Sequence, residues 1–325
     1  MTVVSAARRI QLLFVCAAAM LSAATAPAAV YPEKPVRLVV GYSPGGGSDL
    51  ITRIVGKALS DRWRQPVVVD NRVGADGSIA ASYVAGALPD GYTLIMVTNS
   101  HTMPPIGYTL NYDPLKSFTP VSLVDDKPMV LLINPSLAVN SVKDLIALAR
   151  AKPGQLHYGT DGPATDPAFF MALFMEQARI KMTNVNYKGG GQSQIAVVSG
   201  EIQLVFGTLS AAMELVKAGK LKALAVTTNT RSEAVPDVPT LAEAANLPTF
   251  NESAWNGILA PARTPRALVQ KIRDDVVEIM KSPDMRRTLS VQGIRPIAST
   301  PDQFATHLAD ELAKHKEFFK KLDVK

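Results

Sequence analysis

The chain has 325 residues, of which 47% are hydrophobic, and its 34 lysines and arginines exceed its 28 acidic residues by six. This size and apolar content suffice for a large core and fit two domains better than one. The basic residues form no cluster, which argues against a nucleic-acid-binding surface and predicts no nucleic-acid partner.

The first 28 residues have the pattern of a cleavable secretory signal peptide. Arg8 and Arg9 supply positive charge, an apolar stretch covers 10–21, and Ala26-Pro27-Ala28 fits a small-residue cleavage site. We favour this over a membrane anchor, because a spanning helix needs ~20 apolar residues. Cleavage after Ala28 predicts an exported protein, and the loss of the two arginines lowers its formal charge from +6 to +4. It also removes Cys16, so neither disulfide nor thiol chemistry is expected.

Strand-like and helix-like segments alternate along the rest of the chain. Apolar residues between Leu50 and Leu59 recur at helical spacing, and Ser141 with Asp144 indicates a capping box at a helix start. Strands are predicted at 36–40, 66–69, 92–97, 129–133, 156–158, 185–187, 202–206 and 221–227, and further helices at 78–87, 167–177, 192–198 and from Pro265 and Pro301. The alternation predicts the α/β class, with mostly parallel sheets flanked by helices.

Residues 41–49 read Gly-Tyr-Ser-Pro-Gly-Gly-Gly-Ser-Asp between a predicted strand and a predicted helix. The first five match the G-x-S-x-G turn of serine hydrolases, with Ser43 as nucleophile and His307 or His315 downstream as base. Pro44 argues against this function, because the residue after the nucleophile must donate a backbone N–H and proline has none. Losing one such donor costs on the order of 3 kcal/mol of transition-state stabilisation. An exported hydrolase using Ser43 is therefore kept as the alternative.

The same loop suits a binding site. Its glycines let the backbone approach a ligand, and Ser48 or Asp49 can cap the helix that follows. Free N–H groups and the helix dipole favour an anion there. No Gly-Lys-Ser/Thr follows, which excludes a nucleotide P-loop. By itself the pattern is also compatible with a tight turn that binds nothing.

A second loop repeats this arrangement. Residues 187–192 read Tyr-Lys-Gly-Gly-Gly-Gln, again between a predicted strand and a predicted helix. We expect the two helix N-termini to face each other across a cleft and to hold one carboxylate. Lys188 either contributes its ammonium to that cleft or is a solvated loop charge.

Other polar residues follow predicted strands, where ligands gather in open α/β sheets. Candidates of this kind are 98–100 and Thr160 with Asp161, whereas Asp166 is predicted to cap a helix before Pro167. Trp255 is compatible with a cleft wall and is predicted to lie in the core.

The histidines give no indication of a metal site. His101 and His157 have neither metal-ligand spacing nor nearby Cys, Asp or Glu clusters. We therefore expect no metal and no cofactor.

Several segments together resemble one family. They are Tyr31-Pro32-Glu33-Lys34-Pro35, 44–49, Gln65-Pro66-Val67-Val68-Val69-Asp70-Asn71-Arg72, Pro89-Asp90-Gly91-Tyr92-Thr93-Leu94, 187–190, 218–226 and Pro236-Asp237-Val238-Pro239-Thr240. In number and order they resemble the Bug family of periplasmic solute-binding proteins, the extracytoplasmic receptors of tripartite tricarboxylate transporters. The resemblance covers nearly the whole mature chain.

The resemblance implies a two-lobed periplasmic-binding-protein fold that closes around a small organic acid. Lobe 1 is expected to comprise 29–129 and 250–325, and lobe 2 to comprise 130–249, with crossings near Val130 and Phe250. The implied function is non-catalytic capture of a small carboxylate, for the membrane components of such a transporter or for a sensor kinase. We expect a monomer.

The resemblance also implies that both glycine loops hold the ligand carboxylate, partly through ordered waters. Its family roles carry over to Gly46, Gly47, Ser48, Tyr187, Lys188, Gly189 and Gly190, and the candidate ligand-binding set adds Tyr42, Ser43, Asn99, Thr160, Asp161 and Thr208. Two departures bear on the ligand. Many members have an acid where this chain has Gly207, which disfavours an amino-acid ligand. Asp161 and Asp166 make the 160–166 loop acidic, which restores that option if Asp161 faces the cleft.

Overall fold

The computed structural model describes residues 31–103, 109–187 and 190–321, with no side-chain description at 210 and 211. The chain divides at Glu33 into an N-terminal unit and the unit Lys34–Lys325, which carries the elements below. The predicted signal peptide lies outside the described residues. Among the residues described, no helix has both the length and the apolar composition needed to cross a bilayer.

In the described residues, one lobe is built on a six-stranded sheet. Its strands are β1 (Val36–Val40), β2 (Val67–Asn71), β3 (Thr93–Thr98), β4 (Phe118–Lys127), β10 (Ala254–Pro261) and β11 (Arg295–Pro296), in the order β11-β4-β10-β3-β1-β2. β1 pairs in parallel with β2 and β3, whereas β10 runs antiparallel to β3 and β4. The helices of this lobe are α1 (Gly47–Trp63), α2 (Ser78–Ala85), α8 (Arg266–Lys281), α9 (Pro283–Ser290) and α10 (Pro301–Lys321).

The other lobe is built on a sheet of five described strands. They are β5 (Met129–Ile133), β6 (His157–Thr160), β7 (Thr183–Asn186), β8 (Leu204–Thr208) and β9 (Lys222–Val226), in the order β7-β6-β8-β5-β9. β6 pairs in parallel with β7 and β8, and β5 runs antiparallel to β8 and β9. The helices of this lobe are α3 (Val142–Ala151), α4 (Asp166–Ala178), α5 (Gly190–Ser199), α6 (Leu209–Lys217) and α7 (Leu241–Ala245).

Two lobes, each a sheet flanked by helices, confirm the predicted fold class. Both sheets are mixed rather than mostly parallel. In the first sheet, β4, β10 and β11, which the sequence pattern did not indicate, add antiparallel pairs. In the second sheet, β5 runs antiparallel to both of its neighbours. The chain passes from one sheet to the other at Pro128, between β4 and β5, and returns between β9 and β10. The lobe borders at Val130 and Phe250 stay a prediction.

Local sequence sets the helix starts. The Ser141 hydroxyl accepts from the Asp144 amide (3.1 Å) and caps α3, as predicted. Thr300 does the same for α10, by accepting from the Gln303 amide (3.2 Å). At α8 the prediction was wrong by one residue: Thr264 donates its hydroxyl to the carbonyl of Pro261, and Pro265 takes the N-cap position.

The C-terminal helix α10 packs against residues of both lobes. Its Phe304 packs against Trp255 of β10, which lies in the core of the first lobe, as predicted. Farther along, the rings of His315 and Phe318 meet Phe169 of α4 edge-on, in the core of the second lobe. The two sheets therefore share a packed connection close to the crossing strands.

Candidate ligand-binding site

A buried carboxylate holds the first glycine loop, which joins β1 to α1. Asp49, in the first turn of α1, accepts hydrogen bonds from the Gly45 amide (2.9 Å), Arg53 Nε (2.9 Å) and Asn71 Nδ2 (2.8 Å). Burial acts in the opposite direction, but these donors lower the pKa of Asp49 below its usual value. The Asp49 carboxylate therefore stabilises the loop through these hydrogen bonds.

The start of α1 leaves backbone donors free for a ligand. Gly46 occupies the N-cap position, where Ser48 or Asp49 was expected. The amides of Gly47 and Ser48 have no carbonyl one turn earlier to bond, because they open the helix. Gly45 has φ +83°, which favours glycine in the turn before them.

The second glycine loop opens α5 in the same way. The helix begins at Gly190, and the Ser193 hydroxyl donates to the Gly190 carbonyl (2.9 Å). Gly191 follows in the first turn, so its amide also lacks an acceptor within the helix. Lys188 and Gly189 lie outside the described residues, and their predicted roles stay predictions.

Both helix N-termini line one cleft of about 440 Å³ between the lobes. Two further helices of the second lobe begin on its wall: α4 at Asp166 and α6 after its N-cap residue Thr208. Because each helix N-terminus carries a partial positive charge, the cleft favours negatively charged groups of a ligand.

Two close approaches show how narrow the cleft is. A Cβ placed on Gly47 would lie 3.8 Å from the Thr208 methyl group on the opposite lobe. A Cβ placed on Gly162 would lie only 2.8 Å from Asp76 Oδ1, so a larger residue there would collide with that carboxylate. The lobes therefore approach each other closely at Gly47 of the first lobe and at Gly162 of the second.

The structure brings most of the predicted contact residues to this cleft. Those that line it are Tyr42, Ser43, Gly46, Gly47, Ser48, Asp161, Gly190 and Thr208. The Tyr42 hydroxyl lies 2.8 Å from Thr98 Oγ1, and burial raises the pKa of this phenol, which stays protonated. Tyr42 is thus a fixed polar wall of the site.

Three predicted contacts lie elsewhere. Asn99 is fully buried; its carboxamide accepts from the Trp255 amide (2.9 Å) and donates to the Ser253 carbonyl (3.1 Å). Thr160 is buried as well, and its hydroxyl lies between the side-chain oxygens of Asn184 and Asn186.

Tyr187 is not among the described residues that line the cleft either. Its hydroxyl donates to Glu201 Oε1 (2.9 Å) at the surface of the second lobe. For these three residues the structure shows scaffold contacts in place of the predicted ligand contacts.

Sequence reasoning missed three charged or amide residues of the cleft, Asp76, Lys127 and Gln194. Lys127 ends β4 next to the crossing; it is only 9% exposed, and its Nζ lies 3.4 Å from Asp125 Oδ1. Gln194 is 4% exposed, on α5 one turn after Gly190. The period-four spacing from Gly190 could have indicated Gln194, whereas Lys127 lies in a strand that the pattern did not show.

Asp166 was predicted to cap α4, and that was wrong. Thr165 occupies the N-cap position and Asp166 is the first residue of the helix, facing the cleft. Burial raises its pKa to about 7, although the charge of Lys127 opposes the rise. Burial also raises the pKa of Asp161. The cleft thus holds two carboxyl groups that lack their usual solvation.

The hydrolase alternative finds no support in the geometry. His315 Nδ1 lies 3.1 Å from Thr102 Oγ1, and burial lowers the pKa of His315 to about 4. His307 packs against the Trp255 ring. Neither histidine is among the described residues that line the cleft containing Ser43, so neither is placed to act as its base. Within the described residues, no group of three or more His, Cys, Asp or Glu side chains is placed to hold a metal ion.

Comparisons with known proteins agree with this arrangement. The sequence profile described as "Tripartite tricarboxylate transporter family receptor" matches residues 51–324. The chain belongs to this receptor family. Protein BugT of Bordetella pertussis is 32% identical over 296 residues, which is 90% of this chain and 90% of BugT.

Solved structures of solute-binding proteins share the fold. R. palustris Rpa4515 with adipate superposes with a TM-score of 0.84 and 34% identity, over 89% of this chain and 97% of that protein. The periplasmic binding protein BugD gives a TM-score of 0.82 and 26% identity, over 91% of this chain and 99% of BugD. The predicted family resemblance is confirmed.

Proposed function

We propose that this receptor-family protein captures a small organic carboxylate in the cleft between its lobes. The observation that carries the proposal is the convergence of the α1 and α5 N-termini on one cavity. Family membership and the adipate bound to Rpa4515 support the same ligand class.

The chemistry follows from the donors. Gly47, Ser48 and Gly191 can each offer a backbone N–H to a carboxylate oxygen, and the helix dipoles add to the attraction. Because the cleft is narrow, bound ligand excludes water, and each hydrogen bond there is stronger than in solution. Ligand that contacts both lobes shifts the population towards the closed state.

Isothermal titration calorimetry of the mature protein, residues 29–325, tests the proposal with a panel of mono-, di- and tricarboxylates. Gly47→Pro should weaken the best ligand about tenfold to one-hundredfold, because it removes one N–H donor to a charged acceptor. Proline suits this position, the first of α1, since Gly46 already has φ −73° and ψ 165°.

Gly47→Ala is the matched control, because it adds a methyl group but keeps the N–H. Equal affinities of the Pro and Ala variants would show that this amide does not bind the ligand. Absence of any carboxylate hit would contradict the proposed function.

We also propose that the protein works in the periplasm, as a monomer, and supplies a tripartite tricarboxylate transporter; delivery to a sensor kinase remains the other proposed role. Export predicts a periplasmic form that begins at Ala29, which N-terminal sequencing checks. Deleting the gene should abolish uptake of the labelled ligand by intact cells. Normal uptake with a lost transcriptional response would favour the sensory role.

A further inference from the structure

Two carboxyl oxygens in the cleft are buried without a hydrogen-bond partner. Asp161 Oδ1 and Asp166 Oδ1 are both in this state among the residues that the structure describes. Burying an acceptor without a hydrogen-bond donor destabilises the folded state, so such acceptors are rare in native proteins. A ligand that supplies the donor removes this cost. Asp275, also buried, shows the usual solution in this chain, since it accepts from Arg62, Trp63 and Lys271.

A buried carboxamide on the same wall gives an independent observation. Gln194 lines the cleft, and its side chain makes no hydrogen bond with any residue in the described part of the chain. The amide lies over Gly207, where a Cβ would come within 2.8 Å of Gln194 Nε2 and 2.7 Å of Leu132 Cδ1. Glycine at 207 therefore leaves the space that this amide fills at the edge of the cavity.

The cleft's own cation does not satisfy the two acids. The described residues that line the cleft include three carboxyl groups, those of Asp76, Asp161 and Asp166, and one ammonium group, that of Lys127. Lys127 is 3.4 Å from Asp125, and although its charge lowers the pKa of Asp166, burial still leaves that pKa at about 7. The site thus combines helix N-termini, which attract an anion, with acids that need a donor.

We propose that Asp161, Asp166 and Gln194 form a subsite for a protonated nitrogen, so that the captured solute is an amino-carboxylate. This inference rests on the proposed function, which assigns the ligand carboxylate to the N-termini of α1 and α5. The ammonium group carries three N–H donors, which match Asp161 Oδ1, Asp166 Oδ1 and the Gln194 side-chain oxygen. A charged donor also removes the cost of keeping both acids ionised in a buried place.

A different chemistry makes the opposite prediction. If one of the two acids were protonated, it could donate to a second carboxylate, and the ligand would be a plain dicarboxylate. Ligand pairs that differ only by the amino group separate these cases: aspartate with succinate, glutamate with glutarate, and phenylalanine with 3-phenylpropanoate.

Calorimetry of the mature protein with the three pairs is the test. We expect the aminated member of the best-fitting pair to bind at least tenfold more tightly than its partner. Asp161→Asn and Asp166→Asn should each reduce that ratio at least tenfold, while the affinity for the non-aminated member changes less than threefold. Glu201→Gln, which removes one negative charge of the same lobe outside the cleft, should leave the ratio unchanged.

Gln194→Glu supplies a second variant in case the aspartate variants fold poorly. It adds a carboxylate at the subsite and should increase the preference for the aminated ligand; a decrease would contradict the inference. Equal or tighter binding of the non-aminated members by the wild type would overturn the inference and leave the proposed function standing. Failure of every carboxylate, aminated or not, would instead contradict the proposed function.

Discussion

Asp49 and Asp166 both lie in the first turn of a helix that begins at the cleft, yet their surroundings are opposite. Asp49 accepts from three donors, and its pKa is lowered in spite of burial. Asp166 has one buried oxygen without a partner among the described residues, and burial raises its pKa to about 7. The comparison teaches that an acid near a helix N-terminus is a scaffold residue when the fold supplies donors. It becomes a candidate ligand contact when the fold does not.

The largest loss of stability is expected for Asp49→Ala, which tests the scaffold role of this acid. The substitution should lower the free energy of unfolding by about 3 kcal/mol at pH 7, because the Gly45 amide, Arg53 and Asn71 lose their common buried acceptor. Urea denaturation measures this. Asp61→Ala is the matched control on the same helix: its exposed pair with Lys57 should contribute less than ~0.5 kcal/mol. Similar losses in both variants would refute the scaffold role of Asp49.

A second contrast concerns the carboxamides of Asn99 and Gln194. Asn99→Leu should cost about 2 kcal/mol of unfolding free energy, since the Trp255 amide and the Ser253 carbonyl lose their partner. Gln194→Met, which keeps side-chain length, should cost less than ~0.5 kcal/mol, because this amide bonds no described residue. Thermal and urea unfolding of both variants give the numbers. An equal cost would mean that Gln194 also serves the scaffold.

A pH-dependent effect is expected for Asp166→Asn in the ligand-free protein. Because the folded pKa of Asp166 is raised from 3.8 to about 7, the unfolded state loses this proton more easily. Its ionisation therefore reduces stability as the pH rises from about 4 to 7. The variant should match the wild type below pH 4 and be more stable above pH 7, by up to about 4 kcal/mol, since each unit of pKa shift corresponds to ~1.4 kcal/mol.

Urea titrations at several pH values check this prediction. Asp49→Asn provides the contrast, since the pKa of Asp49 is lowered: its carboxylate stabilises the protein at neutral pH, and this contribution is lost as the pH falls. A pH-independent difference between the wild type and Asp166→Asn would show that Asp166 is solvated.

Periodicity and glycine spacing were enough to predict the α/β class and most of the parallel strands. The sequence pattern did not predict β4 and β10, because each contains residues that are uncommon in strands, including Pro120, Asp125 and Gly257. These positions are tolerated here because neighbours supply what the residue lacks: Asn256 donates to Asp125, and Phe304 packs over Gly257. That compensation comes from distant parts of the chain, which a local pattern does not contain.

The candidate site divides in the same way. The two glycine loops were predictable, since a strand, a glycine run and a helix start are consecutive in sequence. Asn99, Thr160 and Tyr187 also lie at the ends of strands, but their side chains bond partners within the fold and are not among the described groups that line the cleft. The position of a residue at a strand end can therefore be predicted from the sequence. The direction of its side chain depends on which hydrogen-bond partners the folded chain places nearby.

By itself the sequence determined the family, the alternation of strands and helices, and the two glycine-rich helix starts, because these depend on residues close together in the chain. Only the tertiary structure decided that Lys127 and Gln194 line the cleft, and that Asp49 is satisfied while Asp161 and Asp166 keep a buried oxygen without a donor. Those facts depend on which groups from remote segments meet in space and on how much water they exclude. Burial and hydrogen bonding, which set the charge of each acid, exist only once the chain has folded.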